Sequence, residues 1–125
     1  YRQKILEDLI DIRNEINPDK VFFFSFYDTH QDHEVIHNEV KRAFKYTTLL
    51  GYEIITNNFS FTPNYFSVLD KSHVEKRIKA MFQYQSQQHR GYLQEDLVWD
   101  IVKMRGLQIN QSFAEAFELI RWIDL

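Results

Sequence analysis

Val21-Phe22-Phe23-Phe24-Ser25-Phe26-Tyr27-Asp28-Thr29-His30-Gln31-Asp32-His33-Glu34-Val35-Ile36-His37 is the stretch whose reading decides the fold. An apolar run of strand length, residues 21–26, gives way to aspartates and imidazoles, and these lead into a helical pattern. The order is strand, loop, helix. In α/β proteins ligands bind just beyond the carboxyl ends of such strands, so these histidines and aspartates stand where chemistry is expected. Because the run shows little polar alternation, it reads as a parallel strand covered on both faces and paired on both sides.

Toward the amino terminus, Ile5, Leu9, Ile12 and Ile16 recur at helical spacing among charged residues, and Asn17-Pro18-Asp19 ends that amphipathic helix. Toward the carboxyl terminus, Val35, Ile36, Val40, Ala43, Phe44 and Leu50 mark a second helix, with Gly51 as its cap and residues 52–56 as a second strand. An aromatic loop over 59–65 and a short extended piece over 66–69 follow. Ser72 and Glu75 have the spacing of a capping box, which opens a helix lined by Val74, Ile78 and Met81. The polar stretch 83–90 and Gly91 separate it from a fourth helix over 94–105, and Gly106 marks an end or break there. The tail, 114–121, fits helix or strand by composition alone. The expected class is therefore α/β, a Rossmann-like, mostly parallel sheet with helices on both faces, in a single domain spanning 1–125.

Composition narrows the function. With 44% of its 125 residues apolar, the chain can bury a core. Its 15 basic and 18 acidic residues form no long run of either sign, so no nucleic-acid or anionic-membrane surface is expected. There is no cysteine, which leaves His, Asp and Glu as the metal ligands the sequence can offer. No apolar run approaches the roughly 20 residues that span a bilayer, so the simple expectation is a soluble, cytoplasmic protein. The first residue is Tyr and a helical pattern starts at once, so a segment upstream is expected, and the sheet is expected to be incomplete on its amino-terminal side.

Two patterns of chemistry overlap in the opening stretch. Asp28-x-His30-x-Asp32-His33 puts two imidazoles and two carboxylates within six residues, so one imidazole could bind a metal while another, held in its tautomer by a carboxylate, moves a proton. The plain structural reading is a polar loop with solvated histidines, and the position after a buried strand favours the functional one. His33-Glu34-Val35-Ile36-His37 also matches His-Glu-x-x-His, in which two histidines one turn apart bind zinc and the glutamate activates water. That protease reading needs a third ligand from Glu53 or His73. Its structural alternative makes His37 a partly exposed helix residue.

Asp28-Thr29-His30-Gln31-Asp32-His33, followed by a helix with Val40 and Ala43, resembles the second motif of the zinc-dependent de-N-acetylases typified by the GlcNAc-phosphatidylinositol deacetylase and LmbE-like proteins. Tyr52-Glu53, Phe61-Thr62-Pro63-Asn64-Tyr65-Phe66 followed by Asp70, Lys76, Tyr84-Gln85-Ser86-Gln87 and Ala114-Glu115-Ala116-Phe117-Glu118 are similar to that family in order and spacing, over nearly the whole chain. The six-residue motif is the specific part.

The resemblance implies a hydrolase that uses zinc-bound water to remove an N-acetyl group from an amino sugar or its conjugate. It makes His33 a zinc ligand, His30 and Asp32 catalytic, with His30 stabilising the oxyanion or protonating the leaving amine and Asp32 orienting an imidazole, and it places Asp28 among the substrate-binding residues. The family's first motif, His-Pro-Asp-Asp-Glu, is absent from this sequence, and Gln31 stands where proline is common. The chain then reads as the carboxyl-terminal part of a de-N-acetylase, catalytically incomplete alone, with a small-molecule amino-sugar conjugate as partner. An open strand edge covered by another copy would make it a homo-oligomer. The alternative is a degenerate domain that keeps the scaffold as a binding or assembly module.

Overall fold

The computed structural model describes residues 1–84 and 95–125. The elements run α1 (Arg2–Ile16), β1 (Lys20–Phe24), α2 (Gln31–Ala43), β2 (Thr48–Tyr52), β3 (Tyr65–Val68), α3 (Lys71–Met81), α4 (Glu95–Gln108) and β4 (Ala114–Arg121). The class is α/β, as the sequence reads, with a four-stranded sheet in the order β1-β2-β4-β3. β1 and β2 are parallel, Phe24 opposite Tyr52, whereas β4 runs antiparallel to β2 with Phe117 opposite Tyr52. Among the described residues β1 therefore has one strand neighbour and an open edge.

The described chain forms two compact units, Tyr1–Tyr65 with Phe117–Leu125, and Phe66–Ala116. In the first, Leu6 of α1, Phe23 of β1, Val40 and Ala43 of α2, Phe44 and Leu49 make a core, with Leu9, Ile10, Val21, Ile36 and Ile120 packed against it. The apolar run of β1 conceals an alternation, because phenylalanine stands on both faces. Phe23 is 3% exposed under the helices, whereas Phe22 is 52% exposed and rests against Phe117 at a ring separation of 5.2 Å. At Phe22 the expected cover on both faces is thus incomplete. The second unit packs Val74 and Ile78 of α3 against Val98 and Val102 of α4, with Leu69, Met81, Trp99 and Phe113 around them.

The second helix is shorter than its apolar pattern suggests. Phe44 caps it, and the β-branched pair Thr47-Thr48 carries the chain into β2, so Leu50 and Gly51 are strand residues. Gly51 caps no helix; a Cβ there would lie 3.2 Å from the Ser25 Cα and 3.4 Å from a Glu118 oxygen. The cap of α3 is Asp70, whose backbone N–H donates to His73 Nδ1 at 3.0 Å, two residues before the expected Ser72. α4 runs through Gly106 because the chain folds back over it, leaving 2.6 Å from a Cβ to the Gln111 carbonyl oxygen. The tail is strand. Residues 85–87 of the expected motif, the polar stretch to Arg90, Gly91 and the expected helix start at Gln94 lie outside the described residues. Among the described residues no helix is long and apolar enough to cross a membrane.

α2 is held at its carboxyl end by arginines. Arg13 of α1 donates to the Ala43 carbonyl at 2.7 Å and Arg121 to the Phe44 carbonyl at 3.1 Å, which meets the negative end of the helix dipole with positive charge. Arg13→Ala should lower the unfolding free energy by about 1–2 kcal/mol, the scale of a charged hydrogen bond at a helix end. Urea titration of both proteins measures it, and an unchanged midpoint would show that Arg13 leaves α2 indifferent.

Candidate functional site

The site is built where β1 ends. Ser25 N–H donates to the Tyr52 carbonyl at 3.1 Å and so extends the parallel pairing by one residue before the chain turns. Thr29 then ties the loop to Asn57 twice, through its N–H at 3.0 Å and its hydroxyl at 2.9 Å. Asp28, 5% exposed, makes an isolated antiparallel bridge with Asn58. Its carboxylate accepts from the His30 N–H at 2.8 Å and from His33 Nδ1 at 2.9 Å. One buried side chain thereby shapes the turn and orients an imidazole one helical turn away.

The two imidazoles are held in opposite tautomers. His33 donates its Nδ1–H to Asp28, so in the neutral ring the lone pair is on Nε2. His30 is the N-cap of α2 and its Nδ1 accepts the Asp32 N–H at 3.1 Å, so its proton is on Nε2. The rings stack with centroids 4.3 Å apart, and the far face of His33 lies on Phe24 at 3.7 Å and 3°. The stacked pair thus combines, when His33 is neutral, a ring nitrogen with a lone pair and a ring N–H.

Other expected residues fall differently. Asp32 contributes its backbone N–H to His30, and the carboxylate that orients an imidazole is that of Asp28. His37 departs from both expectations made for it. It is 2% exposed, stacked on Phe23 at 4.9 Å, and its Nδ1 donates to the Phe24 carbonyl at 2.7 Å. Glu34 is exposed, and the third ligand required by a His-Glu-x-x-His site is missing, since among the described residues no three His, Asp or Glu side chains gather as a metal group. Among the described residues the protease geometry is not formed.

Glu118 and Tyr52, named in the sequence only within family-like stretches and without a site role, also border the site. Glu118 of β4, 4% exposed, accepts from the Ser25 hydroxyl at 2.5 Å, from Phe26 N–H at 3.0 Å and from Thr62 N–H at 3.1 Å, clasping the end of β1. A signal was present, because Glu118 continues the parity of buried Ala114 and Ala116. Tyr52 ends β2, meets Phe24 edge-on at 5.4 Å, and its phenol is raised above its ordinary 10.0 by burial and then by the charge of Asp28.

In fold the chain is similar to two solved proteins. The zinc-inhibited form of teicoplanin deacetylase Orf2 superposes with a TM-score of 0.73 and 17% identity, over 99% of this chain and 53% of that one. GalB, the 4-carboxy-2-hydroxymuconate hydratase of Pseudomonas putida KT2440, gives 0.73 and 18%, over 98% of this chain and 60% of that one. Both likenesses are of fold alone. The chain spans little more than half the length of either protein. No family model and no curated protein matches the sequence.

Proposed function

We propose that this chain carries the imidazole half of a de-N-acetylase site of the LmbE-like kind, acting on the N-acetyl amide of an amino sugar or its conjugate. The observation that carries the reading is the pair of stacked imidazoles in opposite tautomers at the carboxyl end of β1. Amide hydrolysis needs a donor for the developing oxyanion or the departing amine, and in this reading the Nε2–H of His30 is that donor, which the Asp32 N–H bond to Nδ1 supports. His33, backed by the Asp28 carboxylate, has the arrangement of a ligand fixed by an outer partner, and could give one bond to zinc through Nε2. A zinc centre takes more donors than that, and the described residues do not supply them. The described residues thus do not fit a complete zinc centre, and the chemistry assigned to the chain is what its own side chains perform: His30 donates, Asp28 orients His33, and Asp32 fixes the His30 tautomer through its amide.

A likeness to a hydratase of equal score makes water addition to an unsaturated acid the competing reading. Two assays separate them when run on an assembly that supplies the remaining donors, amine release from an N-acetylglucosaminide and hydration of 4-carboxy-2-hydroxymuconate. Neither reaction should be detectable with the isolated chain, and zinc should bind it weakly in calorimetry. In an assembly that supplies the remaining donors, His33→Ala should lose tight zinc binding, whereas His30→Ala should keep zinc and lose about 10²-fold in turnover, the usual scale for a donor or acid–base group. Zinc lost from the His30 variant and kept in the His33 variant would reverse the roles. Full deacetylation by the isolated chain would refute the incomplete centre.

A further inference from the structure

His37 is a buried titratable group that the proposed reaction does not use. Its Nδ1 must be the donor in the bond to the Phe24 carbonyl, because a carbonyl oxygen only accepts, so in the neutral ring the lone pair is on Nε2. That Nε2 is buried with no hydrogen-bond partner among the described residues. The ring lies on Phe23 at 4.9 Å and meets Phe26 edge-on at 5.6 Å, so two of its neighbours are apolar rings. A proton added to Nε2 would be a buried charge with its new donor unpaired, which a protein avoids by releasing the group.

The surrounding charges oppose one another. Lys41, one turn along α2 and 5.9 Å above the Phe26 ring, disfavours a second positive charge. Glu118 of β4 favours it, but its oxygens are occupied by Ser25, Phe26 and Thr62. β1 and the loop after it face the ring with Phe23, Phe24 and Phe26, which bring no charge. Burial is the largest influence, and the balance keeps the ring below its ordinary 6.5.

What the ring holds is the start of the site. Phe24 is clasped by α2 twice, through its carbonyl by His37 and through its ring by His33, and the loop to Asp28 and His30 begins immediately after it. We propose that His37 is an acid-sensitive latch: seated while neutral, it fastens the amino-terminal half of α2 to the end of β1, and on protonation it leaves its pocket and frees the loop that carries Asp28 and His30. The proposal does not depend on the hydrolase reading, and its readouts involve no turnover.

The test is an NMR titration of the isotope-labelled chain from pH 8 to 5, following each imidazole and the exchange protection of the backbone amides. The His37 ring should titrate below 6.5, and protection over residues 25–33 should fall about tenfold or more with the same midpoint, while Leu49 and Leu50 of β2 stay protected. Lys41→Gln, which removes the opposing charge, should move both midpoints together to higher pH. His37→Phe keeps an aromatic ring in the pocket and should abolish the step. The latch is overturned if His37 protonates while the loop amides stay still, if the amides follow His30 or His33, or if the step persists in His37→Phe. Simultaneous loss at Leu49 and Leu50 would mean general acid unfolding and would overturn it too. Should His37→Phe not fold, the paired shift in Lys41→Gln decides.

Discussion

Glu118→Ala is expected to lower the unfolding free energy by about 3–4 kcal/mol, a large part of the stability of a domain this size. Three donors turn toward this carboxylate, the Ser25 hydroxyl and the N–H groups of Phe26 and Thr62, and alanine satisfies none of them. Ser25 is itself 1% exposed, so its hydroxyl loses a buried partner at about 1–3 kcal/mol, and the loss of the carboxylate's charge-assisted bonds and the cavity add to it. Gly51 lets the strands approach closely here, because a Cβ would lie 3.2 Å from the Ser25 Cα and 3.4 Å from a Glu118 oxygen, so a side chain would press on the clasp. Glu118→Gln retains one accepting oxygen and turns an NH₂ toward the remaining donors, so it should fall between wild type and alanine. Urea unfolding of the three proteins measures the order. A loss below about 1 kcal/mol for Glu118→Ala would show that water replaces the carboxylate and that the clasp is weak.

Much of this organisation is legible in the sequence. The run from Val21 onward, followed by acids and imidazoles and then a helical period, placed the strand, the loop and the start of α2, because burial of a strand and the chemistry of a turn both leave compositional marks. Leu50 was misread as helical because an apolar residue satisfies a helix stripe and a buried strand equally, and only the pairing of β2 with β1 distinguishes them. Phe22 and Phe23 look alike in sequence and differ in burial, since which face receives α1 and α2 is a tertiary fact.

The site was readable in its position but not in its wiring. Asp28, His30, Asp32 and His33 stood out as a cluster, yet which carboxylate serves which imidazole depends on the turn that folds Asp28 back under the helix. Asp28 lies five residues before His33, so no helical spacing connects the two; the contact exists because Thr29 is pinned to Asn57 and His30 begins the helix. Glu118, in sequence far from the loop, reaches it through β4. His37 illustrates the opposite error. Its spacing from His33 suggested a shared metal, whereas packing against Phe23 and the Phe24 carbonyl puts its ring into the core.

Asp28→Ala should cost about 3 kcal/mol and release both histidines at once. The carboxylate is buried and accepts from His33 Nδ1 and the His30 N–H, so its removal strands an N–H at the helix entry and a ring nitrogen that was fixed by it. Asp28→Asn separates the two duties. Its amide oxygen can still accept from the His30 N–H, while its NH₂ faces a ring nitrogen that was itself the donor, so the His33 proton is driven to Nε2 and the lone pair turns to Nδ1. Nitrogen chemical shifts of the His33 ring report that exchange of tautomers directly. Tyr52 supplies an independent reading of the lost charge. Its phenol is raised first by burial and then by Asp28, so Asp28→Asn should bring its titration down while leaving it above 10.0, followed as tyrosinate absorbance. The sign on stability follows: a raised phenol favours the folded state below the unfolded value and loses that contribution as pH rises through the folded one, so the asparagine variant should surrender its share at lower alkaline pH than wild type. An unchanged His33 tautomer in Asp28→Asn, with Tyr52 shifted as expected, would show that Asp28 is felt as a charge but does not set the imidazole, and the lone pair on Nε2 would then need another cause.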